Sequence, residues 1–380
     1  MIAITLPCLL LGGTEFQTLH LVKALKSLDQ DVTVVVYFEV TEEMVCLYEK
    51  EGAIVNSLHW KRSISPIRLI IQLIKVFKEI KPSVIHVQYM APGALPIFAA
   101  KLAGVPRIIA TVHQPYTKSH GWKANWILRL AAKFCNPFLS VSQNAARSWF
   151  GQAALIDTQL SIAQQPSQLT LYNSIDVDRL QTIAKKCQFQ NNLSKLGIHP
   201  ETYLIGAVSR MRIEKGIDVL ITAFAQLLQT SDRDLRLLLV GDGPDRQELE
   251  SLAAELNCED KIVFYGSAEW EEAMQLMARM DVVVVPSRFE GFGLSAAEAM
   301  AMRKPLICSD AFGLAELVSH EQEGLLFRNG DAHDLFRQLQ QFIHHPEKAK
   351  RLGEQAFAKT KQNFDYPLFV ERIKTLYKSE

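Results

Sequence analysis

The chain has 380 residues, 48% of them hydrophobic and 22% charged, and its 41 Lys+Arg balance 41 Asp+Glu. This length exceeds one ordinary core and suits two domains of roughly 150 to 200 residues, and the composition excludes a disordered polymer. The six cysteines stand singly with no CxxC pair, which speaks against a disulfide framework or a zinc site and for reduced thiols in a cytosolic protein. No apolar run approaches the ~18 to 20 residues of a membrane-spanning helix. The opening "MIAITLPCLLLGG" lacks the basic leader and cleavage site of a signal peptide and reads as a buried first strand. Charge is uneven along the chain. Residues 1–150 hold 16 Lys+Arg against 9 Asp+Glu, a net of +7, and the remainder a net of −7, so the basic half is expected to meet something anionic.

In chain order, "MIAITLP" predicts a strand and "TEFQTLHLVKALKSL" an amphipathic helix. Then follow a β-branched strand "DVTVVVYF", a helix "IRLIIQLIKVFKEI", and strands "PSVIHVQY" and "RIIATVH". The second half repeats the scheme: "YLIGAVSR" before "GIDVLITAFAQLLQ", and "LRLLLVGDG" before "PDRQELESLAAEL". "KIVFYG", "EEAMQLMARM", "DVVVVPS", "SAAEAMAM" and "PLICSD" continue the alternation. Strand–helix alternation with continuous apolar strands predicts α/β architecture, two doubly wound parallel sheets covered on both faces. A cleft between two such domains is the default ligand site. Periodicity weakens and polar residues accumulate over 174–200, which is expected to be the linker. The boundaries follow as 1–173 for the first domain, 201–360 for the second, and a final helix in 361–380 expected to pack back toward the first.

The stretch "EGFGLSAAEAMA" carries Glu290 and Glu298 around Gly291 and Gly293. Glycine permits backbone conformations closed to other residues, and a helix starting near Leu294 would present free N–H groups and a positive dipole end to a phosphate. A hydrolase pair is a weaker alternative: such carboxylates sit ~5 to 9.5 Å apart, whereas eight helical residues span roughly 12 Å. Plain first-turn acid placement for Glu298 and a surface role for Glu290 remain open. "VSRMRIEKGID" places Arg210, Arg212 and Lys215 between a strand end and a helix start. These cations suit a diphosphate, or are simply a solvated loop. Gly12 and Gly13 follow the first strand without completing a dinucleotide fingerprint. His113 ends a strand, where open sheets place ligand groups; His86, inside its strand, is a poorer candidate. No phosphate-loop or nucleophile-elbow pattern occurs. The D-x-D matches Asp176/Asp178 and Asp232/Asp234 lack further acidic or histidine ligands nearby, so no metal site is expected.

Together, "GGTE", "TVHQPY", "LYNSID", "VSRMRIEKG", "LLLVGDGP", "VVPSRFEGFGLSAAEAMA" and "EGLLFRNGD" resemble, in order and over nearly the whole chain, the retaining glycosyltransferases of family 4. The resemblance implies the GT-B fold, two facing Rossmann-like domains with a deep interdomain cleft that closes to assemble the site. It implies that Arg210 and Lys215 bind a donor diphosphate with backbone N–H groups from Gly293, Leu294 and Ser295, within the loop that also holds Gly291 and Phe292. Glu298 would accept from the nucleotide ribose and Glu290 from the donor sugar. His113 would bond the sugar near its anomeric carbon, and Gly12 and Gly13 would line the cleft. The departures are Ser209, Ser174 and Arg303, each where glycine is usual in the family.

The implied reaction moves a sugar from a nucleotide-diphosphate donor to a glycan or lipid-linked acceptor with retention, in envelope or surface polysaccharide assembly such as lipopolysaccharide. A UDP-sugar is favoured and GDP-mannose is the alternative donor. Neither a cofactor nor a metal is expected beyond the nucleotide sugar as co-substrate, and no nucleic acid. Another GT-B enzyme, such as a sugar-nucleotide epimerase, or a non-catalytic two-domain binding protein are the competing readings. In the first half, "HWKRSISPIRLIIQLIKVFKEIK" (59–81) and "KSHGWKANWILRLAAKF" (118–134) interleave basic and aromatic residues. That pattern suits an anionic membrane surface on the cytoplasmic side, or solvated charges over helices that cover the sheet.

Overall fold

The computed structural model describes residues 1–89, 94–187 and 193–378. The chain forms two compact units, Met1–Ser174 with Pro367–Glu380, and Ile175–Tyr366.

In the first unit, β1 (Ile2–Leu6), α1 (Gly13–Lys26), β2 (Val32–Val36), α2 (Glu42–Lys50) and β3 (Ile54–Ser57) form the leading half. The second half comprises α3 (Pro66–Ile80), β4 (Val84–Tyr89), α4 (Leu95–Ala103), β5 (Arg107–Val112), α5 (Gly121–Ala132), β6 (Phe138–Ser140), α6 (Gln143–Phe150) and β7 (Gln168–Thr170). The seven parallel strands are ordered β3-β2-β1-β4-β5-β6-β7. β1 and β2 are buried at every residue, which is why they read as unbroken apolar runs: each buried Val, Ile or Leu contributes ~1.5–3 kcal/mol. α3 starts where the Ser65 hydroxyl accepts from the Arg68 N–H, with Pro66 in the first turn, both favoured at a helix start. It buries Leu69, Leu73 and Phe77 on one side.

In the second unit, α7 (Val177–Cys187) precedes β8 (Tyr203–Val208), α8 (Ile217–Leu228), β9 (Leu235–Val240), α9 (Arg246–Glu255) and β10 (Ile262–Gly266). Then come α10 (Trp270–Arg279), β11 (Val282–Val285), α11 (Leu294–Ala301), β12 (Leu306–Ser309), α12 (Leu314–Leu317), β13 (Leu325–Phe327), α13 (Ala332–His344) and α14 (Pro346–Asn363). The six parallel strands are ordered β10-β9-β8-β11-β12-β13. Its core gathers Ile205, Leu237 and Val284 from the sheet, with Leu220 and Phe224 of α8 and Leu339 of α13. The last helix, α15 (Tyr366–Tyr377), lies in the first unit from Pro367 on. There the Tyr377 hydroxyl sits 2.6 Å from Nδ1 of His86.

The stretch 174–200, expected as a linker, differs from that reading. Residues from Ile175 belong to the second unit, and α7 packs its own helix there against α10 and α11. Its polar outer side hid the helical pattern. Residues 188–192 of the stretch lie outside the described residues.

Of the three departures at glycine positions, Arg303 has a positive φ and Ser174 and Ser209 do not. Arg303 adopts the left-handed conformation at φ 60, which costs a non-glycine residue ~1 kcal/mol or more. Its guanidinium lies over the Phe357 ring at 3.6 Å and pairs with Glu354. Ser174 is buried, its hydroxyl 2.7 Å from His20 Nδ1. The Gln17 amide donates to its carbonyl and accepts from its N–H. Ser209 lies under Gly241, whose missing Cβ leaves room for the Ser209 carbonyl.

Candidate functional site

In an open parallel sheet, ligands collect beyond the carboxyl ends of the two strands where the winding reverses. In the second unit those strands are β8 and β11. β8 runs into residues 209–216, and β11 into residues 286–293. The two loops touch at Gly216, which has φ 65, and a Cβ there would collide with the Pro286 carbonyl oxygen. Only glycine permits both that conformation and that approach. The Arg288 N–H donates to the Glu214 carbonyl at 2.8 Å. Its guanidinium grips the Asp218 carboxylate with two bonds of 2.6 Å. Burial pushes the Asp218 carboxyl up, but the Arg288 fork outweighs it and holds the group below its usual range.

Across this junction, Lys215 Nζ donates to Glu290 Oε2 at 2.6 Å, both side chains about one-fifth exposed (21% and 18%). Ser287 Oγ lies 3.4 Å from the same oxygen. Arg210 is exposed and has no acidic partner among the described residues. Arg212 pairs with Glu214 at 3.2 Å. The structure thus brings Lys215 and Glu290 together and leaves Arg210 available.

α11 starts from Gly293 in the left-handed conformation at φ 100, with no side-chain cap. A Cβ at Gly293 would press on the Leu314 side chain. The first backbone bond of the helix runs from Ala297 N–H to Gly293 O, so the N–H groups of Leu294 and Ser295 form the positive end of the helix. Phe292 is buried and meets Phe364 edge to face at 5.4 Å, which anchors the loop. Glu298, one turn inside α11, accepts from the Trp270 indole N–H at 2.8 Å. Burial raises its carboxyl to about 7, against the pull of that N–H. Arg179 covers one face of Trp270 at 4.5 Å and pairs with Glu271 at 3.2 Å.

The first unit holds the remaining candidates. Gly12 precedes α1 and Gly13 opens it. A Cβ on Gly12 would crowd the carboxylate of Glu15, a buried residue that also receives the Cys8 thiol at 3.7 Å. The Tyr48 hydroxyl donates to the Glu15 carbonyl at 2.6 Å. His113 follows β5, its Nε2 2.7 Å from Gln88 Oε1, and burial lowers it to about 4. The imidazole is therefore neutral, with Nε2–H donating and Nδ1 left as an acceptor. His86 is buried between Tyr377 and Thr111 Oγ1, the latter at 2.7 Å, and serves the packing of that strand.

Three of the four acids of the D-x-D matches have protein partners. Asp178 pairs with Lys361, Asp176 accepts from the Arg179 N–H, and Asp234 engages Thr202 and Lys261. Among the described residues no group of three His, Cys, Asp or Glu could hold a metal ion. Sequence reasoning missed Trp270, Gln88 and the Asp218–Arg288 fork. Each is defined by a partner distant in the chain, and only the tryptophan's placement at a helix start offered a signal.

Residues 188–359 match the family model described as glycosyl transferases group 1, and residues 11–152 that of glycosyltransferase family 4. The chain is 26% identical to N-acetyl-alpha-D-glucosaminyl L-malate synthase of Bacillus anthracis over 77% of this chain and 74% of that one. It is 27% identical to the sulfoquinovosyl transferase of Arabidopsis thaliana over 80% of this chain, and spans 58% of that longer relative. Among solved structures, Anabaena HepE in complex with UDP superposes with a TM-score of 0.79 at 21% identity, over 98% of both chains. That likeness is one of fold.

Proposed function

The chain belongs to the family-4 glycosyltransferases and has the GT-B fold, and we propose that it transfers a hexosyl or N-acetylhexosaminyl group from a UDP-sugar. The acceptor is a glycan or lipid-linked glycan of envelope or surface polysaccharide, and the anomeric configuration is retained. The observation that carries the proposal is the junction after β8 and β11, where Lys215, Glu290 and the uncapped start of α11 converge. Cation, acid and helix end are what a diphosphate and a hydroxyl-rich sugar require of one place.

In this reading the diphosphate takes the place of the Glu290 carboxylate beside Lys215, and Arg210 closes on its exposed side. Glu290, released, accepts from donor-sugar hydroxyls. Glu298 accepts from the ribose with the oxygen that Trp270 does not occupy. As the bond from the anomeric carbon to the phosphate oxygen breaks, its electron pair leaves with UDP. The two cations and the helix dipole stabilise that charge, an electrostatic effect worth about 3 to 4 kcal/mol per preorganised donor. The acceptor oxygen bonds the anomeric carbon and its proton passes to the leaving phosphate. His113 of the first unit is held neutral by burial, with Nδ1 left as an acceptor.

The test is a panel of UDP-sugars and GDP-mannose screened for thermal stabilisation of the full chain and of Glu298→Ala. One or more UDP-sugars raise the melting temperature of the wild type and not of the variant. Stabilisation by no donor, or an equal response of the variant, overturns the assignment. The anomeric signal of the product by NMR decides retention.

A further inference from the structure

The outer sides of three helices in the first unit form a surface that the proposed transfer does not use. α3, α4 and α5 press into one core cluster, with Leu73 and Phe77, Ile97 and Ala100, and Leu128 and Ala131 as their inward residues. α3 packs along α4, and Phe98 of α4 meets Phe134, just beyond α5, at 6.0 Å. Their opposite sides therefore lie side by side.

That surface is unusually apolar for an outer face. Ile67 and Trp122 are each 73% exposed, Leu102 64% and Trp126 63%. Ile67 and Ile71 on α3, and Trp122 and Trp126 on α5, stand four residues apart, so each pair shares one helix side. Clustered apolar groups of this size mark an interaction site more often than scattered single ones do. Lys75, Lys101, Lys123 and Lys133 are exposed on the same helices and their ends. Lys101 lies 5.9 Å from the Phe134 ring and Lys123 5.8 Å from Trp122. No acid among the described residues pairs with Lys101, Lys123 or Lys133. The sequence explains why: residues 80–156 contain eight Lys and Arg and not one Asp or Glu.

We infer that this face docks reversibly on an anionic phospholipid bilayer. Indole rings settle at the level of lipid headgroups, and lysine stems extend along them to reach phosphate. A soluble polyanion would engage the lysines but would leave Trp122, Trp126, Ile67 and Leu102 in water. Each basic group near an anionic leaflet strengthens binding about fivefold, and the four lysines outnumber the one acid on the α3 stripe, Glu79, four residues beyond Lys75; that excess of positive charge selects this partner. Among the described residues no helix is long and apolar enough to cross a membrane, and the attachment inferred is peripheral. The Lys118 side chain, part of the same basic stretch in sequence, lies outside the described ones.

The inference goes beyond the transfer reaction, and its test contains no nucleotide sugar. The full chain is floated with vesicles of phosphatidylcholine alone, or of phosphatidylcholine mixed with phosphatidylglycerol, at about 0.15 M salt. It rises with the mixed vesicles and stays behind with phosphatidylcholine. The triple substitution Lys101→Gln, Lys123→Gln, Lys133→Gln keeps the wild-type melting temperature and weakens flotation roughly a hundredfold. Tryptophan fluorescence shifts to shorter wavelength on mixed vesicles, and Trp122→Ser with Trp126→Ser removes the shift. Absence of flotation, equal flotation with phosphatidylcholine, or flotation unchanged in the triple variant overturns the inference. So does the same fluorescence shift on RNA or soluble polyphosphate, which would assign the face to a polyanion in solution.

Discussion

In the second unit, the loops beyond the central strands are tied by charge: Lys215 to Glu290 and Arg288 to Asp218. In the first, the ties within and beside the sheet are made by neutral groups. His113 bonds Gln88, His86 sits between Tyr377 and Thr111, and the Tyr48 hydroxyl reaches the Glu15 carbonyl. The two devices behave differently. A partly exposed ion pair can exchange one partner for an incoming anion, because the cation keeps a counter-charge throughout. A buried neutral imidazole has no such exchange, and its contribution is lost only when a proton is forced on it. One region is thus built to trade contacts and the other to keep them.

The largest effect expected from breaking this comparison is at the charged junction. Lys215→Ala should lower kcat/KM roughly a hundred- to a thousandfold, with a melting temperature close to wild type, measured as UDP release in the presence of acceptor. A loss under tenfold would remove Lys215 from the reaction.

The neutral region gives the next prediction, in pH. Burial depresses His86 to about 3 and His113 to about 4, below the ~6.5 of an unfolded histidine. As pH falls, the unfolded chain takes up protons first. The stability from these groups is therefore full above ~6.5 and is lost down toward about 4, some 2 kcal/mol per imidazole at about pH 5. Glu298 carries the opposite sign: its carboxyl is raised to about 7, so its contribution is full below the unfolded value of ~4.5 and lost as pH rises through 7. Hydrogen exchange corrected for intrinsic rates should show the first unit losing protection between pH 7 and 5 while the second does not. Parallel loss in both would contradict the contrast.

The same carboxyl sharpens the site. If Glu298 accepts from ribose hydroxyls as proposed, its ionised form is the stronger acceptor, so donor affinity should rise with pH up to about 7 and level off above it. Glu298→Gln should flatten the profile. Trp270→Phe, which removes the N–H that opposes the raised value, should move its midpoint upward. A calorimetric titration of UDP over this range reads all three, and an unchanged midpoint in Trp270→Phe would leave the indole without a positioning role.

The smallest effect concerns Arg303. Arg303→Ala keeps the left-handed strain and loses the Phe357 and Glu354 contacts, and should cost about 1 to 2 kcal/mol. Arg303→Gly loses the same contacts but relieves the strain, and should recover about 1 kcal/mol of that. Denaturant unfolding of both variants gives the difference directly.

Much of this was legible before the structure. The central strands of both sheets are unbroken Val, Leu and Ile runs, and burial on both faces is what writes such runs. β3, with its half-exposed "IVNS", and the three-residue β6 and β7 carry too few residues for a period to register. The Glu290-to-Glu298 spacing and the cations at 210 and 215 pointed to the second unit's strand ends. That Lys215 and Glu290 hold each other was not legible, nor was the Asp218–Arg288 fork, since such pairs exist only once the two loops meet at Gly216. Arg303 and Ser174 stood out as departures, but their partners are residues 51 and 154 positions away.

The most direct test of the charged junction as the donor site is hydrogen exchange of the full chain with and without UDP. The account predicts new protection at residues 209–216 and at the first-turn amides of α11, Leu294 and Ser295 among them, lost in Lys215→Ala. Protection confined to other segments, or none at saturating UDP, would contradict it.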